Sequence, residues 1–414
     1  MKYQKPSLSR SSFPNPSRPA ILQGYKSLPK LEKLMLSPHY SEPPETPNHH
    51  AVTSRRMPRS GSETPIFDRL PPIQPSYSST NLKINQYDSI PNLYPAKFSD
   101  KRCGNVRLYA VNTHEGLIRK YNEDRVSIVI NIRSPPERAN EPWPKCSFYG
   151  IYDGHGGCRC ADFLKDNLHN FVIRDPHFPK NPTEALINGF KTAEREFLHL
   201  AQQNNDKSGS CATVCLVVNT KCFVANVGDS RSVLSSERGL KIYPLTEDHK
   251  PGEEPERSRI LNSGGKIYTS ASIPSNSAKQ GLQHVYRILP GRLSVSRSFG
   301  DIEAKDEHLG GNPKCLIADP DIKAFKIQDE HDFIAMGCDG IFDRMTNKEM
   351  VECIWNSVTE NFLVPYPNKC AEAVNDVIRS ALRRRSMDNL TLILIGLKGL
   401  KKHAKQARKT VSLV

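Results

Sequence analysis

Strand-like apolar runs in this chain begin or end next to acidic residues. The acids are Glu123 and Asp124 in NEDRV, Asp153 in YDGHGG, Asp229 in NVGDSRS, Asp339 and Asp343 in CDGIFD, and Asp388 in SMDNLTLILI. A single aspartate at a strand end is an ordinary turn residue. Several of them, on loops that converge at one edge of a sheet, would repel one another unless cations neutralise them. We therefore expect sheets whose loops meet at an acidic, cation-binding edge.

Strands and helices occur in groups along the chain and do not alternate strictly. VRLYAV, RVSIVINI and CSFYGIY are β-rich runs, and TVCLVVNTKCFVANVGDSRSVLS contains two or three more strands. Between them, apolar residues at helical spacing predict one helix around Ala161, Leu164 and Phe171 and another with an apolar face from Leu186 to Leu200. Such grouping favours packed antiparallel sheets covered by helices over a doubly wound parallel sheet.

The C-terminal third of the chain repeats this pattern of helices beside a strand. Thr346 and Glu349 fit a capping box at the start of a helix. A last helix is predicted around Val374 and Ile378, ahead of the final strand LTLILIGL. The chain from residue 101 to 397 is therefore expected to form one mixed α/β domain.

The two ends of the chain differ in composition from this domain. Residues 1–100 hold half of the 32 prolines and many serines without a sustained period, which predicts a disordered basic tail. Residues 398–414 contain lysine and arginine but no acid, and are predicted to be a second basic tail. The tails carry most of the net charge of +14, so the domain is nearly neutral and does not have the charge of a nucleic-acid-binding core.

Cysteine usage and hydropathy bear on the location of the protein. The chain has 11 cysteines, an odd number, and several lie in strand-like runs, as is typical of reduced thiols. No window is apolar enough to span a bilayer, and the N-terminus lacks the apolar region of a signal peptide. We expect a monomer located in the cytoplasm, the nucleus or both.

The acidic residues suit a particular chemistry. Oxygen-only ligands select Mg²⁺ or Mn²⁺, and Gly154 would let its carbonyl approach such an ion. Two ions bridged by one carboxylate can hold and deprotonate a water for attack on phosphorus. A phosphate-binding cation and a proton donor are also needed, and Arg119 and His155 are candidates. Taken singly, these two residues are better explained as a solvated arginine and a turn histidine.

The motifs RKYNEDR, FYGIYDGHGG, GSCATV, VANVGDSRSVL, LTEDHKPGEEPERSRILNSGGKI, LSVSRSFGD, ADPDI, CDGIFD and DNLTLILI follow one another in order. This set resembles the metal-dependent serine/threonine protein phosphatases of the PP2C (PPM) type over roughly residues 104 to 397. The resemblance implies an α+β fold of two packed antiparallel sheets flanked by helices on both outer faces. It also implies hydrolysis of phosphoserine and phosphothreonine esters in phosphoprotein substrates.

The resemblance further implies a role for each site residue. Asp153 matches the aspartate that bridges two metal ions, and Gly154 matches the residue that binds through its carbonyl. Asp339 and Asp388 match further direct ligands, whereas Glu123 and Asp124 match acids that act through metal-bound water. Asp229, together with Asp339, matches the acids that hold a weaker third ion. The implied cofactors are two Mn²⁺ or Mg²⁺ ions. Arg119 matches the phosphate-binding arginine, and His155 matches the proposed general acid.

Two other functions use similar residues. An inactive phosphatase-like binding module would lack ligands, yet Asp153, Asp339 and Asp388 are all present. A di-metal nuclease or phosphodiesterase would use comparable acids, but a nearly neutral domain attracts a polyanion only weakly, and no specific nucleic-acid partner is expected.

The tails contain two short basic segments with open interpretations. SLPKLEKLML at 27–36 could dock a partner such as a kinase, although an accidental apolar cluster in a disordered tail is the favoured interpretation. KKHAKQARK at 401–409 could be a nuclear import signal or a contact for acidic surfaces, with a solubilising tail as the alternative.

Overall fold

The computed structural model of the protein describes residues 91–270, 285–360 and 364–411. Most of the predicted N-terminal tail, with the candidate docking segment at 27–36, lies outside these residues.

Antiparallel strands form the centre of the fold. In chain order they are β1 (Lys97–Ser99), β2 (Leu108–His114), β3 (Arg125–Val129), β4 (Cys146–Tyr152), β5 (Gly154–His155), β6 (Gly209–Ser210), β7 (Ala212–Val218), β8 (Lys221–Val227), β9 (Arg231–Ser236), β10 (Lys241–Pro244), β11 (Lys266–Ser270), β12 (Val285–Leu289), β13 (Phe299–Gly300), β14 (Asp321–Lys326), β15 (His331–Gly337) and β16 (Leu390–Gly396). One sheet has the order β1-β2-β16-β15-β9-β10, and a second has the order β14-β8-β7-β4-β3. Small sheets β13-β6-β5 and β11-β12 complete the set within the described residues.

Helices cover the outer faces of the two large sheets. The described α-helices are α1 (Arg159–Arg174), α2 (Pro182–Asn204), α3 (Glu254–Asn262), α4 (Ile302–Lys305), α5 (Asp339–Phe342), α6 (Asn347–Thr359), α7 (Tyr366–Arg383) and α8 (Lys398–Val411). Of these, α1 and α2 cover the outer face of one large sheet and α6, α7 and α8 that of the other, and the three shorter helices lie beside them. None of the described helices combines the length and the hydropathy that a membrane crossing requires.

Alternating side chains divide the apolar core into layers. On β4, Phe148 packs against the side chains of α1 and α2, whereas Tyr149 and Ile151 face the other sheet. On β16, Leu392 packs with α6 and α7, and Ile393 lies between the sheets. Because these strands are buried on both faces, their sequences are nearly continuous runs of apolar residues. The predicted arrangement of two packed antiparallel sheets between helical layers is confirmed.

Local patterns predicted most helix positions. The capping box at the start of α6 is confirmed, with Thr346 and Glu349 each bonded to the other's backbone N–H. Leu200, predicted on the apolar face of α2, is instead 40% exposed. The buried stripe continues from Phe197 to Ala201, because residues four apart share a helix face and Leu200 lies to one side of it.

The folded domain extends past both boundaries drawn from the sequence. In the segment predicted as N-terminal tail, β1 pairs with β2 and Ala96 is buried. In the segment predicted as C-terminal tail, α8 buries Leu400 and Ala404, and His403 is bonded to the buried Asp332 at 2.6 Å. Residues 398–406, which the sequence analysis assigned to a basic tail, therefore contribute buried side chains to the domain. Apolar residues four apart were the available signal, but the surrounding lysines obscured it.

Antiparallel pairing brings the acidic residues together, because the start of one strand lies beside the end of its neighbour. Arg125 at the start of β3 is opposite Tyr152 at the end of β4. Leu392, near the start of β16, is opposite Gly337 at the end of β15. The acids that precede β3 and β16 and those that follow β4 and β15 therefore meet at one end of the sandwich.

Candidate active site

Four of the predicted acids form the centre of the site. Carboxylate oxygens of Asp153, Asp229 and Asp339 lie within 4.8 Å of one another, and a second group joins Asp153 to Asp124 and the Cys338 sulfur at the same spacing. We call the first the outer group and the second the inner group. Asp153 belongs to both, and it is the residue for which the resemblance implies a bridge between two ions.

The carboxylates of this cluster are, by themselves, electrostatically unfavourable. Burial raises the pKa of Asp153 well above its ordinary value, and the nearby Asp339 carboxylate raises it further. Burial and then the charge of Asp229 do the same to the pKa of Asp339. Like charges in a poorly solvated site disfavour ionisation, and a divalent cation would relieve that repulsion.

Asp124 has a buried oxygen that lacks a partner. Its Oδ2 accepts a hydrogen bond from the Thr391 hydroxyl at 2.6 Å. Its Oδ1 is buried and has no hydrogen-bond partner among the described residues. Burial raises the pKa of Asp124 to about 6, although the Thr391 hydrogen bond opposes that rise. A buried polar atom left without a partner is costly, so this oxygen fits a role beside a cation or its water shell.

Cys338 does not supply a soft ligand to the inner group. Its Sγ accepts a hydrogen bond from the backbone N–H of Thr391 at 3.1 Å and donates to the carbonyl of Asn389 at 3.3 Å. Burial raises the pKa of Cys338 well above its ordinary value, which keeps the thiol protonated. Metals bind the thiolate and not the thiol, so oxygen donors remain and the donor set suits Mg²⁺ or Mn²⁺.

Gly154 and Glu123 shape the loop that presents Asp153. A Cβ on Gly154 would lie 2.5 Å from the Glu123 carbonyl oxygen, so a side chain cannot be accommodated there. The Glu123 carboxylate accepts a hydrogen bond from the N–H of Gly157 at 2.8 Å. Glu123 belongs to neither the inner nor the outer group. In this structure it holds the glycine turn.

Arg119 and Asp388 form an ion pair at the rim of the site. Arg119 Nη2 lies 2.7 Å from Asp388 Oδ2, and their side chains are 48% and 36% exposed. Asp388 is absent from the two groups of ligand atoms. The sequence predicted both residues but did not predict that they would be bonded to each other.

His155 is held by Asp301, which the sequence analysis did not single out. Its Nε2 lies 2.9 Å from each carboxylate oxygen of Asp301, and the Ser298 hydroxyl donates a hydrogen bond to the same carboxylate at 2.5 Å. Burial alone would lower the pKa of His155, but the charge and hydrogen bond of Asp301 outweigh it and raise that pKa. The available signal was the final aspartate of LSVSRSFGD.

A glycine makes room for this pair. Gly209 lies opposite His155 and Gly300 in the small sheet β13-β6-β5. A Cβ at Gly209 would be 2.1 Å from Asp301 Oδ2 and 2.4 Å from His155 Nε2. The histidine and the aspartate can meet only because this position carries no side chain.

Lys250 was also missed, although the sequence contains it in the motif EDHKP. Its Nζ lies 3.6 Å from Asp229 Oδ2, 3.3 Å from Asp248 Oδ2 and 3.6 Å from Asp343 Oδ1. Burial would lower the pKa of Lys250, but these carboxylates outweigh it and raise that pKa. A positively charged lysine side chain therefore lies beside the outer group.

Comparison with known proteins identifies the family. The family model described as protein phosphatase 2C matches residues 119–390. A protein phosphatase 2C homolog 2 from Aspergillus flavus is 31% identical over 301 residues, which cover 70% of this chain and 63% of the relative. A probable protein phosphatase 2C 45 from Oryza sativa is 30% identical over 247 residues, covering 60% of this chain and 75% of the relative. The chain spans just under two thirds of the length of the fungal homolog 2 proteins that it matches.

Solved structures share the fold. A serine-threonine phosphatase 2C from Toxoplasma gondii matches with a TM-score of 0.55 and 22% identity, covering 73% of this chain and 99% of the other. A sex determining protein of C. elegans matches with a TM-score of 0.58 and 19% identity, covering 74% of this chain and 68% of the other. On the extent of the family match and of these alignments, the chain belongs to the protein phosphatase 2C family.

Proposed function

We propose that this chain is a metal-dependent protein phosphatase that hydrolyses phosphoserine and phosphothreonine esters of proteins. The observation that carries the proposal is the carboxylate cluster, in which oxygens of Asp153, Asp229 and Asp339 lie within 4.8 Å of one another. Family membership supports the reaction class. The retained acids argue against an inactive binding module, and the nearly neutral domain argues against a nuclease.

The acids at this edge would hold two divalent cations. Asp153 would bridge them, with the Gly154 carbonyl, Asp339 and Asp388 as further direct ligands. Glu123 and Asp124 would act through water, and Asp229 with Asp339 would hold a weaker third ion. When bound, Mn²⁺ or Mg²⁺ would supply a nucleophilic water and neutralise charge on the phosphate.

Arg119 would bind the phosphate of the substrate. Its guanidinium is half exposed and bonded to Asp388. If Asp388 turns toward a cation, the guanidinium loses this partner and its fork is available to a phosphate, which it can bind through two parallel hydrogen bonds. We propose that the ion pair keeps Arg119 at the rim until a cation binds Asp388.

His155 would donate a proton to the leaving oxygen. A serine or threonine alkoxide is a poor leaving group, so a positioned acid speeds its departure. Because Nε2 faces Asp301, Nδ1 is the ring nitrogen left to carry the transferred proton. Asp301 would orient the ring and stabilise its protonated form.

The experiment that tests the proposal measures phosphate release from a phosphothreonine peptide. We expect activity with Mn²⁺ or Mg²⁺, none in EDTA, and recovery when the ion is restored. Asp339→Asn should lower kcat by orders of magnitude with the fold intact, because it removes a ligand charge without changing volume. Asp329→Asn is the matched control, since Asp329 is an exposed residue paired with Lys398. Full activity in EDTA, or equal activity of the two variants, would contradict the proposal.

The proposal also covers the class of substrate and the location of the protein in the cell. We propose phosphoproteins as substrates and a monomeric protein of the cytoplasm, the nucleus or both. Docking of a kinase through residues 27–36 stays a prediction.

A further inference from the structure

Lys250 is the cation nearest to the outer group. Its ammonium lies within 3.6 Å of carboxylate oxygens on three aspartates, Asp229, Asp248 and Asp343. Its side chain is only 34% exposed, so solvent screens these contacts incompletely. Asp229 belongs to the outer group, and Asp343 follows the short helix that Asp339 begins.

The three acids differ in how much they depend on Lys250 to balance their charge. Asp248 also binds Arg231 through two hydrogen bonds of 2.6 and 2.7 Å, so its charge is already balanced. Asp343 is 56% exposed and has Lys250 as its only ion-pair partner in the described part of the chain. Asp229 is nearly buried, with a side chain 6% exposed, and among the described residues it too has only Lys250 as an ion-pair partner. Lys250 is therefore the main counter-charge for Asp229 and Asp343.

A divalent ion bound through Asp229 must share that carboxylate with the ammonium. Two positive charges within a few ångströms of one oxygen repel each other, and the repulsion is strong where solvent is limited. Asp124 and Asp153 of the inner group do not have this competitor, because the described residues place no lysine or arginine within ion-pair distance of either. Arg119 does pair with Asp388, but that pair lies outside both groups and is more exposed to solvent than the lysine's pair with Asp229. Within the described structure, the outer group thus includes an acid, Asp229, with a positively charged side chain within ion-pair distance, and the acids of the inner group have none.

We propose that Lys250 is a built-in competitor for the divalent ion held through Asp229, and that it makes this ion the weakest bound of the site. The inference rests on the proposed function, because it assumes that the carboxylate cluster binds divalent ions. Lys250 stabilises the outer group when that ion is absent and is displaced when it binds. The ion held through Asp229 is then bound or released as the concentration of free divalent ion changes, whereas the other two ions stay bound.

The test counts Mn²⁺ ions and measures their affinities by calorimetry and by electron paramagnetic resonance of free Mn²⁺. Lys250→Met keeps most of the side-chain length and removes the charge. We expect the weakest Mn²⁺ affinity to increase at least about tenfold, with the tighter affinities little changed. Lys250→Arg keeps the charge and should keep the weak site weak. Lys241→Met is the control, since Lys241 is an exposed residue paired with Glu237.

A second measurement uses the unsubstituted protein and does not depend on the folding of a variant. Acylation of lysines by acetic anhydride, mapped by mass spectrometry, should find Lys250 protected at low Mn²⁺ and reactive once the weakest site fills. An unchanged or weaker weakest affinity in Lys250→Met, or constant reactivity of Lys250, would overturn the inference. If the unsubstituted protein binds no Mn²⁺ at all, the proposed function itself fails. If the unsubstituted protein binds two ions and the Lys250→Met variant binds no additional ion, the proposed function stands and only the proposed competition by Lys250 is wrong.

Discussion

Asp124→Asn should stabilise the metal-free protein while it weakens metal binding. Asp124 is 4% exposed, and one of its oxygens is buried without a hydrogen-bond partner in the described structure. Asparagine has nearly the same volume and can still accept the Thr391 hydrogen bond through its own Oδ1. The substitution removes the buried charge and puts an amide NH₂ in place of the carboxylate oxygen that has no partner among the described residues.

The size and pH dependence of the effect follow from the pKa of Asp124, which burial raises from 3.8 to about 6. Between these values the folded state keeps a proton that the unfolded state has released, so this carboxyl makes the protein less stable as pH rises through that window. At about 1.4 kcal/mol per pKa unit, the penalty near neutral pH is at most about 3 kcal/mol. We expect Asp124→Asn to raise the free energy of unfolding by about 1 to 3 kcal/mol at about pH 7.5, and by roughly half as much at about pH 5.

Urea unfolding followed by circular dichroism measures both parts of the prediction, in EDTA and in excess Mn²⁺. The unsubstituted protein should gain stability from the ion, by about 2.7 kcal/mol at a hundredfold excess over the dissociation constant. Asp124→Asn should gain less. Asp248→Asn is the control of opposite sign, because hydrogen bonds from Arg231 hold the pKa of Asp248 below its ordinary value despite burial. It should destabilise the protein near neutral pH.

Two results would refute this reasoning. One is a loss of stability for Asp124→Asn in EDTA at about pH 7.5 that matches the loss for Asp248→Asn. The other is an equal gain from Mn²⁺ in the Asp124→Asn variant and the unsubstituted protein. Either result would mean that the buried charge of Asp124 is compensated by groups other than a bound ion.

Two further predictions concern the proton donor and the C-terminal helix. His155→Gln should slow hydrolysis of a phosphothreonine peptide by roughly 10² to 10⁴ but spare p-nitrophenyl phosphate, whose leaving group needs almost no protonation; equal losses of kcat would remove His155 from the acid role. A chain ending at residue 397 should lose about 3 kcal/mol or more of unfolding free energy, because it exposes apolar surface that Leu400 covers and deprives the buried Asp332 of His403. An unchanged urea midpoint would show that α8 adds nothing to the domain.

The sequence by itself determined the features that depend on neighbouring residues. Thr346 and Glu349 lie within one helical turn, so the capping box could be predicted from spacing alone. The placement of Asp153 directly after β4, and of Asp339 two residues after the end of β15, also follows from the local order of residues. The resemblance in motifs then gave the roles of these residues and the sheet arrangement, because the motifs carry the site in a fixed order.

Tertiary structure alone decided which charged side chains meet. Arg119 with Asp388, His155 with Asp301, and Lys250 with Asp229 are brought together by antiparallel pairing and loop packing. No local pattern encodes these pairs.

The ends of the domain were decided in the same way. Half of the residues of α8 are basic and the segment looks like a solvated tail, yet Leu400 and His403 face a sheet formed by distant segments. Whether an apolar residue in a polar segment is buried depends on the surface that the rest of the chain presents to it. That surface exists only after the strands have paired.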